Sequence, residues 1–496
     1  MSKSRKQPKK STSKATKQVQ KSTNTKKSGL GLFLFKIFVL LGIVWGVVKY
    51  YDSSGLFEPD QLNNHTQKKW DALYRFTKKH DVDVYLVGNS HMYNGINPKT
   101  LSSATSANNF ILASPGTRIS DTYYCVKEAI ALNKPKMVVV ETYGIKGFDQ
   151  MNLNPVALSD QFKSFAARKN FLQKLISTPD LFNPDNYLLA WSNTVRNHSF
   201  LLSDREQIAV NKKLRKQKRK PVDKLYLGRF IAYQEGIQKE VLDRYEKEGS
   251  PVDGRDYKYA EIADDYVQKI AELCRENDVK LLFLTLPMYE KHVENYDDWK
   301  QELAKIIDKT YAPWLDMQQG ANYDGFNTTS FQNTYKENQH LTYNGSIIAT
   351  YKLADYLLDN YSDILPDRSK EQKWHQLFYG EEGYFEHHPV KANDKTHMIL
   401  ARNLPVNNVE IDEIISVKLE KNRKLIAKIN KQKYPNDWSK YKLRLLLTYK
   451  EGGQAKQSYA ELPCNKYIEG KNHYIFQLPI KELNIINLES AYIVAK

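Results

Sequence analysis

Cysteine is scarce in this chain of 496 residues, which holds only Cys125, Cys274 and Cys464. The three lie far apart, and none belongs to a C-x-x-C pair or to a cluster with metal-ligand spacing. The pattern therefore gives no indication of a zinc site, another metal site or a redox pair, and it allows one disulfide at most. A chain of this length has room for two or three domains and can form a large apolar core without a disulfide scaffold.

Acidic residues are absent from the first 28 residues, which carry ten lysines and arginines. The other side chains of this segment are mostly small and polar, so there is little apolar surface to bury, and we predict a disordered tail over residues 1–28. Without its ten charges, the rest of the chain keeps +7 of the total net charge of +17. Such a tail also suits nucleic acid, but the segment that follows it indicates a membrane.

Long apolar runs are missing as well, except for one directly after the basic tail. Leu30 to Val48 contains nineteen residues with a single charge, Lys36, and as a helix it would span about 28 Å, close to the hydrocarbon thickness of a bilayer. The lysine can extend toward the headgroups at the basic end. A cleaved signal peptide is the alternative, but the run is long for one, and residues 49–52 offer no small-residue cleavage site.

The charges on either side of this run predict its orientation. Ten positive charges precede it and few follow it closely, which by the positive-inside rule places the N-terminus in the cytoplasm. We therefore predict a single transmembrane helix over residues 29–49 in the cell membrane, with an extracellular remainder. So few cysteines in such a chain favour a bacterial envelope protein, and nucleic acid is not an expected partner outside the cytoplasm.

Residues 65–365 alternate between strand and helix patterns. Short apolar runs typical of buried strands lie at 82–88, 109–112, 137–142 and 280–286. With the helical stretches between them they predict an α/β domain with a parallel sheet, interrupted by a mostly helical insertion over residues 155–245. Within the insertion, seven of the nine residues from Lys212 to Lys220 are basic, which is typical of a solvated face or of a surface that binds lipid headgroups or a phosphate-rich polymer.

The pattern changes after about residue 370. Residues 370–496 consist of short alternating runs without long helical periodicity, such as the run from Lys442 to Leu447. Alternation of this kind is typical of strands with one buried face. We predict a β-rich accessory domain that resembles a sandwich.

Two short segments of the α/β region carry side chains suited to nucleophilic catalysis. Ser90 directly follows the first predicted strand, where a tight turn can lift its hydroxyl above the sheet edge that carries the sites of open α/β sheets. A serine needs a base to take its proton, and the base needs a carboxylate to orient it. His340, ahead of the last predicted helix, can be the base, and Glu337, three residues before it, can be the carboxylate. The order of these elements predicts a Ser90–His340–Glu337 triad.

This pair of segments resembles the SGNH hydrolase superfamily, also called GDSL-like esterases. Gly88-Asn89-Ser90 stands where that family has its Gly-Asp-Ser turn, and Glu337-x-x-His340 stands where it has Asp-x-x-His. The resemblance covers residues 80–360 and implies a three-layer α/β fold around the parallel sheet. The chain departs from the pattern in its acid, a glutamate that is one methylene longer than the usual aspartate.

The resemblance also implies an oxyanion hole. The family's second block supplies a glycine N–H, for which Gly116 stands in the expected place, and the N–H of Ser90 would be another donor. The third block, Gly-x-Asn-Asp, is missing after the third strand, where Tyr143 is one alternative donor. Asn89, His91 and Tyr143 are candidates for substrate contacts.

A membrane-anchored branch of this superfamily acylates surface polymers, either by O-acetylating polysaccharides or by alanylating teichoic acids. The resemblance to it predicts an extracytoplasmic O-acyltransferase, acting through Ser90 without a cofactor on a cell-envelope glycopolymer. It also implies a polytopic membrane-bound O-acyltransferase as the partner that delivers the acyl group. Two alternatives stay open on the sequence alone. One is an esterase of the same fold, and the other is a non-catalytic protein that binds glycan or assists assembly.

Overall fold

The structure is a computed structural model. The residues that it describes are 16–58, 65–145, 155–216, 227–229, 236–368, 397–406, 409–419, 422–434, 438, 441–451, 454–463, 468–469, 473–480 and 484–495. They fall into two compact units by their internal contacts. The first unit comprises the described residues within 1–63 and 185–220, and the second comprises those within 64–184 and 221–496.

The secondary structure elements are numbered in chain order. The α-helices are α1 Thr16–Ser54, α2 His65–Phe76, α3 Ser90–Gly95, α4 Pro98–Thr105, α5 Ile119–Leu132, α6 Pro155–Ala167, α7 Phe171–Leu181, α8 Tyr187–Trp191, α9 Asn193–Asn197, α10 Phe200–Ser203, α11 Arg205–Lys216, α12 Lys239–Glu248, α13 Glu261–Glu276, α14 Tyr296–Ile307 and α15 Tyr343–Tyr361. The strands are β1 Val84–Val87, β2 Asn109–Ile111, β3 Met137–Glu141, β4 Val252–Asp253, β5 Lys280–Thr285, β6 Val293–Glu294, β7 Trp314–Asp316, β8 His397–Val406, β9 Val409–Leu419, β10 Asn422–Asn430, β11 Tyr441–Glu451, β12 Gln454–Pro463, β13 Ile468–Glu469, β14 His473–Ile480 and β15 Asn484–Ala495. Short 3-10 helices lie at Thr142–Ile145, Pro184–Asn186, Gly254–Asp256, Glu290–His292, Asp308–Thr310, Gly320–Asn322 and Thr328–Ser330.

The first unit is built on α1. Its segment Gly29–Ser54 is long and apolar enough to cross a membrane, and its apolar side chains are exposed. The helix begins at Thr16, inside the segment that the sequence predicts to be disordered, because extending an existing helix costs far less than starting one. Residues 1–15 of the predicted tail lie outside the described residues. Helices α8, α9, α10 and α11 complete this unit.

The core of the second unit is a parallel sheet of five strands in the order β2-β1-β3-β5-β7. All residues of β1, β2 and β3 are buried, which explains why their sequences are continuously apolar or nearly so. Alternate residues point to opposite faces of such a sheet. One set, including Leu86 and Val139, packs in a core with Leu101 of α4 and Leu353 of α15, while α5 and α13 pack against each other and contact β1 and β5.

The prediction of an α/β region with a parallel sheet is therefore confirmed, and the edges of its elements lie close to the predicted ones. The predicted helical insertion is divided between the two units, since α6 and α7 belong to the second and α8 to α11 to the first. Helix α11 contains the beginning of the basic run, up to Lys216. Residues 217–220 of that run lie outside the described residues.

The C-terminal region of the second unit is antiparallel. One sheet has the order β13-β14-β10-β9-β8 and the other has the order β12-β11-β15. Both contribute to one apolar core, with Leu425 and Phe476 from the first sheet, Leu445 and Leu462 from the second, and Trp438 from a connecting segment. The predicted β-rich region is confirmed in its general form, and the shared core between the two sheets is that of a sandwich.

An ion pair joins the end of the α/β region to the start of its sheet. Arg368, which follows α15, donates from Nε to Asp83 Oδ2 at 2.6 Å and from Nη2 to Asp83 Oδ1 at 2.8 Å. Asp83 directly precedes β1 and is buried, and its Oδ2 also accepts from the N–H of Asn108, 2.8 Å away. Two parallel N–H···O bonds give this pair a fixed geometry. The pair therefore holds together segments from opposite ends of the α/β region.

Candidate active site

The turn after β1 presents Ser90 at the carboxyl end of the sheet. Gly88 has φ +143°, and a Cβ placed on it would lie 2.8 Å from the Cβ of Glu141, so both backbone and space require glycine. Asn89 caps α3, because its Oδ1 accepts from the N–H of His91 at 2.9 Å. Ser90 is thereby the first residue of α3, where a helix leaves its backbone N–H without an intrahelical acceptor.

Ser90 and His340 meet across the sheet edge, although 250 residues separate them in sequence. The distance between Ser90 Oγ and His340 Nε2 is 2.8 Å, a hydrogen bond of good length. His340 lies two residues before Thr342, the cap of α15, whose Oγ1 accepts from the N–H of Gly345 at 3.2 Å. The start of one helix and the cap of another thus bring the predicted nucleophile and base together.

The loop that carries His340 is fixed by the buried side chain of the preceding residue, Gln339. Its Oε1 accepts from the N–H of Tyr289 at 2.8 Å, and its Nε2 donates to Tyr245 Oη at 3.2 Å. The carbonyl of His340 accepts from the N–H of Gln332 at 2.9 Å. Because these partners come from separate segments, the imidazole is positioned by the surrounding fold as well as by its own loop.

Burial controls the charge of His340. Removal from water disfavours the imidazolium and lowers the pKa of His340 to about 4. The ring is therefore neutral at pH 7, and its Nε2 can accept the proton of Ser90 Oγ. A buried imidazolium formed during the reaction would need a compensating negative charge, which is the role of the third residue of a triad.

Glu337, the predicted orienting acid, lies beside a phenol at the site. The carboxylate of Glu337 is exposed, and its Oε1 accepts from Tyr257 Oη at 3.4 Å. Tyr257 also shares a hydrogen bond with Tyr143, so the two phenols and the carboxylate form one network. The role of Glu337 as the orienting acid stays a prediction.

His91 is buried beside the Ser90–His340 pair and touches two other segments. Its ring stacks on Tyr143 with 3.9 Å between the ring centroids, and its Nε2 lies 2.8 Å from Asn338 Oδ1. The centroids of the His91 and His340 rings are 4.9 Å apart. His91 therefore ties the loop after β1 to the loop after β3 and to the segment before α15, and makes no hydrogen bond to Ser90 Oγ.

The predicted oxyanion glycine lies in a tight turn after β2. The N–H of Thr117 donates to Ser114 O at 3.3 Å, with Pro115 and Gly116 between them, and Gly116 has φ +61°. Proline followed by a residue with positive φ is typical of a type II turn. The N–H of Ser114 donates to Gly88 O at 3.3 Å, and this bond fixes the turn against the turn after β1 that holds Ser90. Gly116 is solvent-exposed, and its role as an oxyanion donor stays a prediction.

A buried lysine supports the same turn. Lys69 of α2 donates from Nζ to the carbonyl of Ala113, directly ahead of the turn, and its ammonium lies 4.8 Å from the centroid of the Tyr93 ring. Burial lowers the pKa of Lys69 to about 7. The sequence gives no signal for this contact, because a lysine in an amphipathic helix is typical of a solvated face.

The loop after β3 closes the third side of the site, where the family's third block is missing. It forms the 3-10 helix Thr142–Ile145, and the N–H of Tyr143 donates to Glu141 Oε1 at 2.7 Å. A Cβ placed on Gly144 would lie 3.2 Å from Thr117 O and 3.5 Å from Asn89 Nδ2. The pKa of Tyr143 is raised above its usual range, first by burial and then by the nearby Glu337 and Glu141, so its phenol stays protonated and able to donate.

Sequence reasoning missed the contacts that Tyr257, Asn338 and Gln339 make at the site. Asn338 and Gln339 lie inside the Glu-x-x-His segment, so their position was a signal, but their partners depend on the fold. Tyr257 lies outside the sequence segments around Ser90, Gly116 and His340 that indicate the site. Among the residues described, no group of three or more His, Cys, Asp and Glu side chains is arranged to hold a metal ion.

Comparisons with known proteins add the following. No protein-family model matches the sequence, and no curated protein matches it. Two similar solved structures are the acetyl xylan esterase Est2A from the rumen bacterium Butyrivibrio proteoclasticus and a two-domain esterase, CEX, active on acetylated mannans. The first is 9% identical with a TM-score of 0.23 and covers 56% of this chain and 64% of its own. The second is 8% identical with a TM-score of 0.24 and covers 86% of this chain and 94% of its own. At these TM-scores the two esterases establish neither the fold nor the activity of this chain.

Proposed function

We propose that this protein is a serine-dependent enzyme of the SGNH type that transfers an acyl group, acetyl in the simplest case, to a hydroxyl of a cell-envelope glycopolymer. The observation that carries the proposal is the 2.8 Å hydrogen bond between Ser90 Oγ and a neutral, half-buried His340. A serine and a histidine so arranged beside a helix start are suited to attack on an ester carbonyl.

The reaction follows from these groups. His340 Nε2 takes the proton of Ser90 Oγ as the oxygen bonds to the acyl carbon, and the resulting oxyanion accepts from the N–H of Ser90 and, as proposed, of Gly116. Breaking of the bond to the leaving group, which takes the proton from His340, leaves an acyl-serine. A sugar hydroxyl then gives its proton to His340 and attacks the acyl carbon. The new ester departs, and Ser90 Oγ regains its proton.

The envelope location is part of the proposal. It is supported by the apolar segment Gly29–Ser54 and by the excess of basic residues ahead of it, which favour a single-pass protein with its α/β region outside the cell membrane. Acyl-CoA is cytoplasmic, so an external acyltransferase requires a donor delivered across the membrane. A polytopic membrane-bound O-acyltransferase is the partner that fits this need.

Mass spectrometry of the full-length protein tests the nucleophile. After incubation with an activated acetyl ester, we expect an acetyl adduct on Ser90 that Ser90→Ala removes, while Ser203→Ala, at an exposed serine outside the site, retains it. His340→Ala should prevent the adduct from forming. If wild type and both site variants remain equally unmodified, the non-catalytic alternative is favoured.

A second step separates transferase from esterase. Wild-type protein carrying the adduct is offered water alone or water with a soluble glycan acceptor. Acceptor-dependent loss of the adduct, with a new ester on the glycan, supports the transferase. Loss at the same rate in water, with no ester on the glycan, supports the esterase and contradicts the transfer step.

A further inference from the structure

The first unit holds a cluster of short helices at one end of the apolar helix α1. Lys49 Nζ donates to the carbonyl of Trp191, 2.7 Å away, at the end of α8. Asp52 Oδ1 accepts from Ser192 Oγ at 2.9 Å and from the N–H of Thr194 at 2.8 Å. Helices α8 and α9 are therefore attached to the last turns of α1.

Two asparagines extend this attachment to the remaining helices. Asn197 Nδ2, at the end of α9, donates to the carbonyl of Phe57 at 2.9 Å. Asn211 Nδ2, in α11, donates to the carbonyls of Leu56 at 2.9 Å and Glu58 at 2.7 Å. Both asparagines are buried. We call the helices α8 to α11, held in this way against residues 49–58, the juxtamembrane cap.

The juxtamembrane cap exposes large apolar side chains. Leu202 of α10 is 83% exposed, its neighbour Leu201 is 53% exposed, and Leu188 of α8 is 66% exposed. Leu188 lies three residues before Trp191, a rise of about 5 Å along a helix, and the Trp191 carbonyl is bonded to Lys49. Leu188 therefore lies close along α8 to the point where this helix is bonded to the end of α1.

Basic and aromatic side chains accompany them. Lys212 and Lys213 of α11 are exposed and directly follow the buried Asn211. In the last turns of α1, Trp45 is 42% exposed and Tyr50 is 58% exposed, as expected of an aromatic belt at a membrane–water interface. Leucines combined with lysines and an adjoining aromatic belt are the features of a segment that lies in the plane of an anionic bilayer surface.

We propose that the juxtamembrane cap binds the membrane surface, with Leu188, Leu201 and Leu202 inserted at the headgroup level and Lys212 and Lys213 against anionic phospholipid headgroups. The inference rests on the proposed membrane anchoring, since only a spanning α1 brings the cap to a bilayer. It gives the basic run a function as a lipid-binding surface. It also means that the protein contacts the bilayer along a surface in addition to its single helix.

Site-directed spin labelling of the full-length protein in vesicles tests the proposal. Cys464 is first replaced by serine, and the other two cysteines are buried. A nitroxide is then placed by Leu202→Cys or Leu188→Cys in vesicles of phosphatidylcholine with phosphatidylglycerol. We expect collisions with oxygen, which concentrates in the bilayer, to exceed collisions with a water-soluble nickel complex several-fold. Tyr311→Cys, at a side chain 93% exposed outside the cap, gives the reference.

The other outcomes are distinct. Nickel accessibility at residue 202 equal to that at residue 311 would mean a solvated cap, and low accessibility to both reagents would mean that protein covers it. Either result overturns the proposal. A label at Phe38→Cys reports on the span itself, so a water-like signal there would overturn the anchoring and the cap together.

The contact with anionic headgroups has its own test. With the cap at the membrane, the double variant Lys212→Gln, Lys213→Gln should raise nickel accessibility at residue 202 when phosphatidylglycerol is present. Unchanged accessibility would overturn the headgroup contact.

Discussion

The turn that presents Ser90, the proposed nucleophile, can be tested by adding a single carbon atom to it. In Gly88→Ala the new Cβ would lie 2.8 Å from the Cβ of Glu141, and the backbone has φ +143°, a conformation that alanine avoids. Glu141 cannot easily move away from the new Cβ, because it is buried at the end of β3 and its Oε1 accepts from the N–H of Tyr143. The strain must therefore move the turn that holds Ser90.

The expected magnitude has two parts. The backbone conformation costs about 1–3 kcal/mol for a residue other than glycine. The steric contact adds about 1–3 kcal/mol, as overpacking of a dense interior does. We expect the free energy of unfolding to fall by roughly 2–6 kcal/mol, measured by urea titration. Because displacing a reacting group by about 1 Å can cost 10²-fold in rate, acetylation of Ser90 by the activated ester should slow by about that factor.

Gly320→Ala is the matched control. Gly320 also has a positive φ of +62°, but a Cβ placed on it meets nothing within 4 Å. In this variant the free energy of unfolding should fall by about 1–2 kcal/mol, because of the backbone conformation alone, and the rate of acetylation should stay that of the wild type. If Gly88→Ala is no less stable than Gly320→Ala and reacts as fast as wild type, the steric account of the turn is refuted.

Three further predictions follow from charge and burial. Burial lowers the pKa of His340 to about 4, and only the neutral ring accepts a proton. We therefore expect kcat/KM for ester turnover to stay constant down to about pH 4 and to fall below it. A fall near pH 6.5 would show instead that a carboxylate stabilises the imidazolium. Arg368→Met leaves the buried Asp83 without its cation and should lower the free energy of unfolding, measured by urea titration, by about 3–5 kcal/mol. The control Arg244→Met, at an exposed pair, should lower it by under about 1 kcal/mol. Equal losses would contradict this prediction. Trp438→Ala leaves a cavity in the core between the two C-terminal sheets and should lower the free energy of unfolding by about 3–5 kcal/mol. An unchanged unfolding transition of the C-terminal region in calorimetry would refute this packing role.

Much of the fold could be predicted because its strands are buried on both faces. A parallel strand covered by helices is continuously apolar and ends where polar residues begin, as at Met137–Glu141. The strands predicted at 137–142 and 280–286 lie at Met137–Glu141 and Lys280–Thr285. The start of α1 at Thr16 was missed because a polar, basic segment carries no apolar periodicity that would indicate a helix.

The candidate site was predictable where it depends on chain order. Ser90 after the first strand and His340 before the last helix are brought to one sheet edge by parallel topology alone. The contact of Glu337 with Tyr257 was not predictable, because it depends on a rotamer and joins residues 80 positions apart in sequence. The stacking of His91 on Tyr143 depends in the same way on a loop conformation that follows β3.

The separation of 250 residues between Ser90 and His340 has a consequence for biogenesis. A chain is synthesised from its N-terminus, so Ser90 is present long before His340. The sheet edge is complete only when α15 has docked, and the bond from Arg368 to Asp83 forms later still. Fragments that end inside the insertion therefore carry an inert serine. Under the proposed function, the chain would gain its reactivity only late in synthesis, after most of the α/β region has left the ribosome.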